Sequence, residues 1–213
     1  MPRRALRKID SNLDLSRHYR EAADLQADFA QSNLFQTDRP LEVEVGTGKG
    51  LFLTAASQVE SQHNFLGIEI GRKYARYAAS RLARAGCDNA LVISGDALPL
   101  FERWFPTASL AAVHVYFPDP WWKARHKKRR VLNEPFLRNV ERTLILGGRL
   151  HFWTDVEEYF QSTLALIAAT TTLAGPLPVA ERSPEHDLDY RTHFERRTRK
   201  SELPVYRTEF AKA

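Results

Sequence analysis

One segment of the sequence places a carboxylate and two indole rings directly before a dense run of cations. Asp119 is followed by Trp121 and Trp122, and six lysine and arginine side chains then occur between residues 123 and 130. Cationic side chains bind phosphate groups, and indole rings can stack on bases. This composition favours a surface that holds an RNA backbone beside a reactive group, although a run of charge alone is also typical of a solvated loop or helix face.

A glycine loop lies upstream of this segment, where an apolar stretch gives way to helix-forming residues. Glu44 is followed by Gly46, Gly48 and Gly50, and glycines in this context let the backbone approach a nucleotide-like ligand. The third glycine comes one residue too early for the dinucleotide-binding pattern, and Lys49 is not followed by the Ser or Thr of a phosphate-binding loop. A carboxylate beside the loop would repel a pyrophosphate, but it suits a cationic ligand such as the sulfonium of S-adenosylmethionine.

Two further acids follow later apolar stretches. Glu69 stands 25 residues after Glu44, at the end of the second predicted strand, and Asp96 follows the third. A carboxylate in the position of Glu69 can accept hydrogen bonds from both hydroxyls of a ribose, and Asp96 could face the amino group of an adenine. Each acid alone would more often be a surface acid or a helix cap. Together with the glycine loop they predict an adenosine-ligand site lined by Glu44, Gly46, Gly48, Glu69 and Asp96.

The elements that must position these residues alternate between apolar strands and helical segments. Strands are predicted at residues 41–45, 65–70, 90–94, 110–117 and 149–154. Helices are predicted from about residue 51, over 72–85, over 133–146 and over about 156–170. Strands separated by helices indicate an α/β fold with a mostly parallel, doubly wound sheet, which binds ligands at the carboxyl ends of its strands. Residues 177–181 and 190–197 predict an antiparallel closing strand pair.

Length and charge limit the possible organisation and partners. The chain has 213 residues, enough for one domain with a full-sized core. We expect a basic N-terminal arm with a helix over about residues 12–29 to occupy residues 1–37, and the alternating domain to occupy residues 38–213. A net charge of +5 that is locally clustered favours nucleic acid as the partner.

Cysteine content and hydropathy bear on the setting of the protein. The single cysteine, Cys87, excludes an internal disulfide and a thiolate cluster for zinc, so a reducing, cytoplasmic setting is expected. No apolar run approaches the roughly eighteen residues that span a membrane, and the first residues lack the apolar core of a secretory signal. No metal site is expected, because His126 has no further ligand at suitable spacing.

With these residues assembled, the sequence resembles the tRNA (guanine-N7-)-methyltransferases. The resemblance covers about residues 41–195 and rests on five motifs: the glycine loop with Glu44, Gly67-Ile68-Glu69, Phe117-Pro118-Asp119-Pro120-Trp121 followed by Lys123, His126, Arg129 and Arg130, then Thr154-Asp155, and Thr192-His193-Phe194-Glu195. It implies a Rossmann-like methyltransferase fold for residues 38–213, S-adenosylmethionine as the cofactor, tRNA as the partner and a guanine of the variable loop as the target.

The resemblance also implies roles for individual residues. The cofactor side would be lined by Glu44, Glu69, Asp96 and Asp119. The substrate guanine would be faced by Lys123, Asp155, Thr192 and Glu195. Arg125 and Arg129, with cations of the tail between residues 191 and 200, would grip phosphates.

The residues are consistent with this chemistry. Guanine N7 has a free lone pair, so its methylation needs no general base. Attack on the methyl carbon makes the base cationic, and a carboxylate near the guanine stabilises this growing charge in the transition state. Asp119 is the first candidate for this catalytic role, and Asp155 is expected to hold the edge of the guanine.

Three other functions fit parts of the sequence. A nicotinamide-dependent dehydrogenase would share the fold, but its glycine spacing differs and it would leave the basic run unused. A non-catalytic RNA-binding module would explain the charge but not the acids at three strand ends. The closest alternative is a methyltransferase for another RNA base or position, although exocyclic-amine enzymes usually carry two prolines where this chain has Pro120-Trp121. We expect Trp121 to pack and Trp122 to stack on a base or contact a loop.

Overall fold

The computed structural model describes residues 6–179 and 192–213, in which eight strands form one sheet. The strands are β1 (Tyr19–Glu21), β2 (Leu41–Val45), β3 (Asn64–Glu69), β4 (Ala90–Ser94), β5 (Leu110–Tyr116), β6 (Leu144–Thr154), β7 (Ala174–Leu177) and β8 (Tyr206–Ala211). Their order across the sheet is β1-β4-β3-β2-β5-β6-β8-β7. Neighbours among β1 to β6 are parallel, whereas β8 is antiparallel to β6 and β7.

Helices cover both faces of this sheet. They are α1 (Leu51–Val59), α2 (Arg72–Ala85), α3 (Ala97–Pro99), α4 (Glu134–Thr143), α5 (Glu157–Thr170) and α6 (His193–Lys200), and a π-helical turn over Leu100–Trp104 continues α3. Buried side chains such as Phe52 and Leu82 pack α1 and α2 on one face, and Phe136 and Ile167 pack α4 and α5 on the other. The predicted mostly parallel, doubly wound sheet with an antiparallel closing strand is confirmed.

One helix boundary differs from the prediction. The helix predicted over residues 133–146 ends at Thr143, and β6 begins at once. The backbone N–H of Gly147 donates to the carbonyl of Lys212 at 2.8 Å, just beyond the end of β8. This link holds residues 144–148 in the sheet instead of in the last turn of the helix. Leu146 is exposed there.

The helix predicted over residues 12–29 is wrong. The chain there forms β1, followed by a 3₁₀ turn at Ala22–Asp24. Asp14 accepts a hydrogen bond from the backbone N–H of Ser16 at 2.8 Å, and such local side-chain bonds compete with helix formation. β1 pairs with β4 and so provides hydrogen-bond partners for backbone groups of β4 that would otherwise be unpaired. The proposed division at residue 37 stays a prediction.

The second strand of the predicted closing pair is also wrong, as far as the structure describes it. Residues from His193 onward form α6, and Thr192 caps this helix by accepting the N–H of Glu195 at 3.0 Å. The sequence Thr-x-x-Glu is a capping-box signature that favours a helix start. The closing pair is instead β7 and β8, so the strand predicted over residues 177–181 overlaps β7 only at Leu177. Residues 180, 181, 190 and 191 lie outside the described residues.

Candidate functional site

Five carboxylates lie at one edge of the sheet. The parallel strands β4, β3, β2, β5 and β6 are consecutive neighbours, so their carboxyl ends meet at the same edge. In spatial order along this edge the acids at or just beyond the strand ends are Asp96, Glu69, Glu44, Asp119 and Asp155. The topology thus brings together the acids that the sequence places at separate strand ends, at the edge where α/β sheets bind ligands.

The glycine loop leaves room for a ligand beside these acids. Gly46 has a φ of +80°, and a Cβ built on it would meet no atom within 4 Å. Gly50 differs, because its Cβ would lie 2.8 Å from the Cβ of Ala78. Gly46 and its neighbour Gly48, with a φ of +55°, therefore line open space, whereas Gly50 allows α1 to pack closely on α2. The loop has the shape expected of a cofactor cradle.

Glu69 holds the glycine loop in place. Its Oε2 accepts the backbone N–H of Gly48 at 2.8 Å, and its Oε1 accepts that of Gly71 at 2.8 Å. A carboxylate has about four acceptor sites, so these bonds leave capacity for donors such as ribose hydroxyls. Glu69 is thus placed to link the shape of the loop to the binding of a ribose.

Glu44 is buried beneath the loop, with 2% of its surface exposed. Burial raises the pKa of Glu44 to about 8, the charge of Glu69 acts in the same direction, and the hydroxyl of Thr47 opposes them by donating a hydrogen bond to Oε2. The side chain is therefore mostly protonated at neutral pH. This modifies the sequence argument, because Glu44 acts as a buried hydrogen-bonding group more than as a fixed negative charge.

The adenine side of the predicted site is more open. Asp96 is exposed and caps α3, with Oδ1 accepting the N–H of Leu98 at 3.0 Å. Ile70 directly follows Glu69 and is 75% exposed, and Leu98 is 36% exposed. Sequence reasoning missed these two apolar side chains, although an isoleucine directly after a strand-end acid was a signal for them. They give this end of the edge an apolar surface suited to a planar base.

Asp119 lies on a loop with unusual backbone conformation. Phe117 and Trp121, on either side of it, have φ values of 49° and 46°, which are uncommon for residues other than glycine. The N–H of Phe117 donates to the carbonyl of Trp153 in β6 at 2.8 Å, so the loop leaves the sheet beside the segment that leads to Asp155. Asp119 itself is exposed. Strained backbone of this kind clusters at functional sites.

Arg130, which sequence reasoning grouped with the phosphate-binding cations, is a structural residue. It is 8% exposed, its Nε donates to the carbonyl of Pro120 at 2.8 Å, and its Nη2 bonds Glu158 of α5 at 2.8 Å. Its guanidinium also lies 4.3 Å from the centre of the Tyr159 ring. Hydrogen bonds from Arg130 and then Lys127 lower the pKa of Glu158 to about 2. Arg130 therefore ties the Asp119 loop to α5.

Three other cations of the segment lie at the surface. Lys123, Arg125 and Arg129 are exposed, and residues 124–129 form a 3₁₀ helix that presents them. The guanidinium of Arg129 lies 5.1 Å from the centre of the Trp121 ring, and the ring of His126 meets Trp121 edge-on at 5.9 Å. Trp121 thus packs within its own segment, beside cations that can reach phosphates.

Glu195 is buried and bonds an arginine one turn further along its own helix. It is 2% exposed, and its carboxylate bonds the guanidinium of Arg199 at 3.2 Å within α6. Thr192 uses its hydroxyl oxygen to cap the helix. The expected contacts of these two residues with a guanine stay predictions.

Metal and membrane sites are not found in the described portions of the chain. Residues 6–179 and 192–213 contain no group of three or more His, Cys, Asp or Glu side chains that could hold a metal ion. The same residues form no helix that is long and apolar enough to cross a membrane.

Solved structures share this fold. The 16S rRNA methyltransferase KamB aligns with a TM-score of 0.60 at 15% identity, covering 86% of this chain and 92% of its own. A SAM-dependent methyltransferase from Aquifex aeolicus aligns with a TM-score of 0.56 at 13% identity, covering 82% of each chain. The chain therefore has the fold of these methyltransferases.

Sequence comparisons are more specific. A family model described as a putative methyltransferase matches residues 38–208. The tRNA (guanine-N(7)-)-methyltransferase of Rhodopirellula baltica is 51% identical over the whole chain, which covers 80% of its length. The tRNA (guanine-N(7)-)-methyltransferase of Cronobacter sakazakii is 35% identical over 77% of this chain and 69% of its own. The chain belongs to the tRNA (guanine-N7-)-methyltransferase family.

Proposed function

We propose that this protein transfers a methyl group from S-adenosylmethionine to N7 of a guanine in tRNA. The observation that carries the proposal is the full-length similarity to a named tRNA (guanine-N(7)-)-methyltransferase. The glycine cradle and the Asp119 loop at one sheet edge support it. The finer assignments, a variable-loop guanine and a cytoplasmic setting, are part of the same proposal and rest on the family resemblance and on the single cysteine.

The proposed reaction requires little chemistry from the side chains. The cofactor supplies an electrophilic methyl group on a sulfonium sulfur. Gly46, Gly48 and Glu69 would hold the cofactor, with Asp96 at the adenine end. Asp119 would lie on the guanine side and stabilise the positive charge that the base acquires, while Asp155 and the surface cations orient the nucleotide. No proton has to be removed from N7 before attack.

The proposal is tested by analysing the nucleosides of tRNA treated with the pure protein and methyl-labelled S-adenosylmethionine. The expected product is 7-methylguanosine, which carries a fixed positive charge and separates from neutral methylated nucleosides by chromatography. Label in a neutral methylated nucleoside would support the alternative, a methyltransferase for another RNA position. Absence of label in any nucleoside would refute the proposed function.

Glu69 provides a test of cofactor binding. Replacing Glu69 by Ala removes the acceptor for the N–H groups of Gly48 and Gly71, together with the proposed ribose contacts. We expect affinity for S-adenosylmethionine to fall about ten- to a hundred-fold, the size of one or more lost charge-assisted hydrogen bonds. Isothermal titration calorimetry would measure the loss, with the exposed Glu60→Ala as the matched control. Unchanged affinity in a folded Glu69→Ala variant would contradict the assignment.

Arg129 and Arg130 are adjacent, but their predicted effects differ. Replacing exposed Arg129 by Gln should flatten the slope of log tRNA affinity against log salt by about 0.7 to 0.9, because one phosphate contact is lost. Replacing buried Arg130 by Gln should leave that slope unchanged and lower the melting temperature on the order of 5 °C. Filter binding at several salt concentrations and thermal unfolding separate the two. Equal effects on the salt slope would show that both arginines contact phosphate.

A further inference from the structure

Trp122 is the one tryptophan of this chain that is mostly exposed in the structure, with 68% of its surface accessible. Trp153 is 7% exposed, Trp104 packs edge-on against Phe29 at 4.9 Å, and Trp121 packs against His126. An indole carries a large apolar surface, so the exposed Trp122 lacks the stabilisation that packing gives the other three. Trp122 is therefore the tryptophan that is most accessible to a ligand.

The backbone and the neighbouring side chains hold Trp122 outward. Trp121 has a φ of 46°, and its ring contacts the guanidinium of Arg129 and the ring of His126. With Trp121 fixed inside the segment, the next side chain projects from it. Trp122 thus follows a residue whose backbone and ring contacts are fixed within the segment.

The surroundings of Trp122 favour nucleic acid over a protein partner. Exposed Lys123 and Arg125 follow it directly, and Lys127 and Lys128 lie on the same short helix. Between residues 105 and 140, all within the described chain, it is the only exposed large apolar side chain, so its own segment offers one aromatic ring and no run of apolar side chains. One aromatic face among cations is the composition with which proteins bind unpaired nucleotides.

The position of Trp122 relates it to the reacting base. It stands three residues after Asp119, so the two Cα atoms are at most about 11 Å apart. In an A-form helix the groove that contains guanine N7 is deep and narrow, so a guanine methylated there must be single-stranded or splayed out. Splaying a base out removes the stacking of its neighbour, which disfavours the open conformation unless another surface replaces that stacking.

We propose that Trp122 is a stacking platform for the nucleobase next to the target guanine. By covering the face of that base, the indole replaces the stacking lost when the guanine leaves the helix, while Lys123 and Arg125 hold the adjoining phosphates. The inference rests on the proposed function and adds to it a second base-binding subsite with little dependence on base identity, because every base has a π face.

Substitutions of Trp122 test the nature of the contact. Trp122→Ala and Trp122→Leu should lower kcat/KM for tRNA about 5- to 100-fold, whereas Trp122→Phe should stay within a few-fold of wild type. Affinity for S-adenosylmethionine and the salt slope of tRNA binding should not change. Leu146→Ala, which truncates a side chain that is 76% exposed at the start of β6, is the matched control. Wild-type kinetics in Trp122→Ala or Trp122→Leu, or an altered oligomeric state of Trp122→Ala by sedimentation, would overturn the inference.

A second experiment identifies the base. Two substrate tRNAs would carry an abasic site, one on the 5′ side and one on the 3′ side of the methylated guanine. The wild-type protein should methylate one of these two tRNAs more slowly than the intact tRNA. Trp122→Ala should be insensitive to the same abasic site, because the contact is already absent. If each abasic site lowers the activity of Trp122→Ala as much as it lowers that of the wild-type protein, the stacking inference is overturned, while the proposed function is unaffected. Failure of the wild-type protein to form 7-methylguanosine would overturn the proposed function itself, whatever the variants do.

Discussion

Replacing Asp119 by Asn is expected to slow single-turnover methylation of tRNA on the order of 10²- to 10³-fold, with little change in the affinity for S-adenosylmethionine. Asn keeps the shape of the side chain and removes its charge. During transfer, positive charge moves from the sulfur to the guanine, so a carboxylate on the guanine side favours the transition state over the ground state. The strained loop around Asp119 would hold the carboxylate in place before the reaction.

The measurement is rapid-quench kinetics with enzyme in excess over tRNA, paired with calorimetry for the cofactor. Asp96→Asn is the matched control, because Asp96 is an exposed acid at the same sheet edge but on the proposed adenine side. That variant should weaken the cofactor more than it slows the transfer step. A near-normal transfer rate for Asp119→Asn would remove Asp119 from the catalytic role.

The second large effect concerns stability and pH. Burial raises the pKa of Glu44 from its ordinary 4.5 to about 8, so the folded protein keeps a proton that the unfolded chain releases between these values. Stability from this group is fully present below about pH 4.5 and declines as the pH rises through 8. The slope is about 1.4 kcal/mol per pH unit, or on the order of 4 kcal/mol over the window.

Glu44→Gln should abolish this decline, because Gln mimics the protonated carboxyl. Urea unfolding at several pH values should show equal stabilities near pH 4.5 and a more stable variant at pH 8. The acids whose pKa values are lowered do not make the free energy of unfolding change with pH between 4.5 and 8. Hydrogen bonds from His151 lower the pKa of Glu209 to about 2, and Glu158 behaves in the same way, so their contributions are lost only as the pH falls toward 2. If the free energies of unfolding of Glu44→Gln and wild type changed with pH in parallel, Glu44 would be ionised in the folded state. Glu102→Gln, at an exposed position, is the control.

The sequence predicted the central part of the fold for a physical reason. The strands β2, β3 and β5 are buried on both faces, so they appear as continuous apolar runs between helices. The edges of the sheet lack this signal. β1 has three half-buried residues that form a strand only because β4 offers an unpaired edge, and no local pattern reports such a tertiary requirement.

The positions of the acids at the strand ends were predictable, but their protonation and hydrogen bonds were not. Strand-end acids follow from topology, whereas the proton on Glu44 depends on burial that only the folded structure provides. Likewise Arg129 and Arg130 are identical in type and adjacent, and their different burial arises from contacts with α5. The Thr-x-x-Glu spacing carries the signal for the capping role of Thr192, and it contradicts the strand predicted over residues 190–197.

The pairing of β1 with β4 affects how the protein tolerates truncation. Tyr19, Arg20 and Glu21 occupy the outer backbone groups of β4, and Ala22 packs so closely on Gly95 that a Cβ there would lie 2.5 Å from it. A chain shortened beyond residue 21 would therefore lose more than a basic tail. It would present an apolar strand with unpaired N–H and C=O groups, a template for pairing between molecules. The N-terminal residues thus cover this edge of the sheet, independently of any contact with RNA.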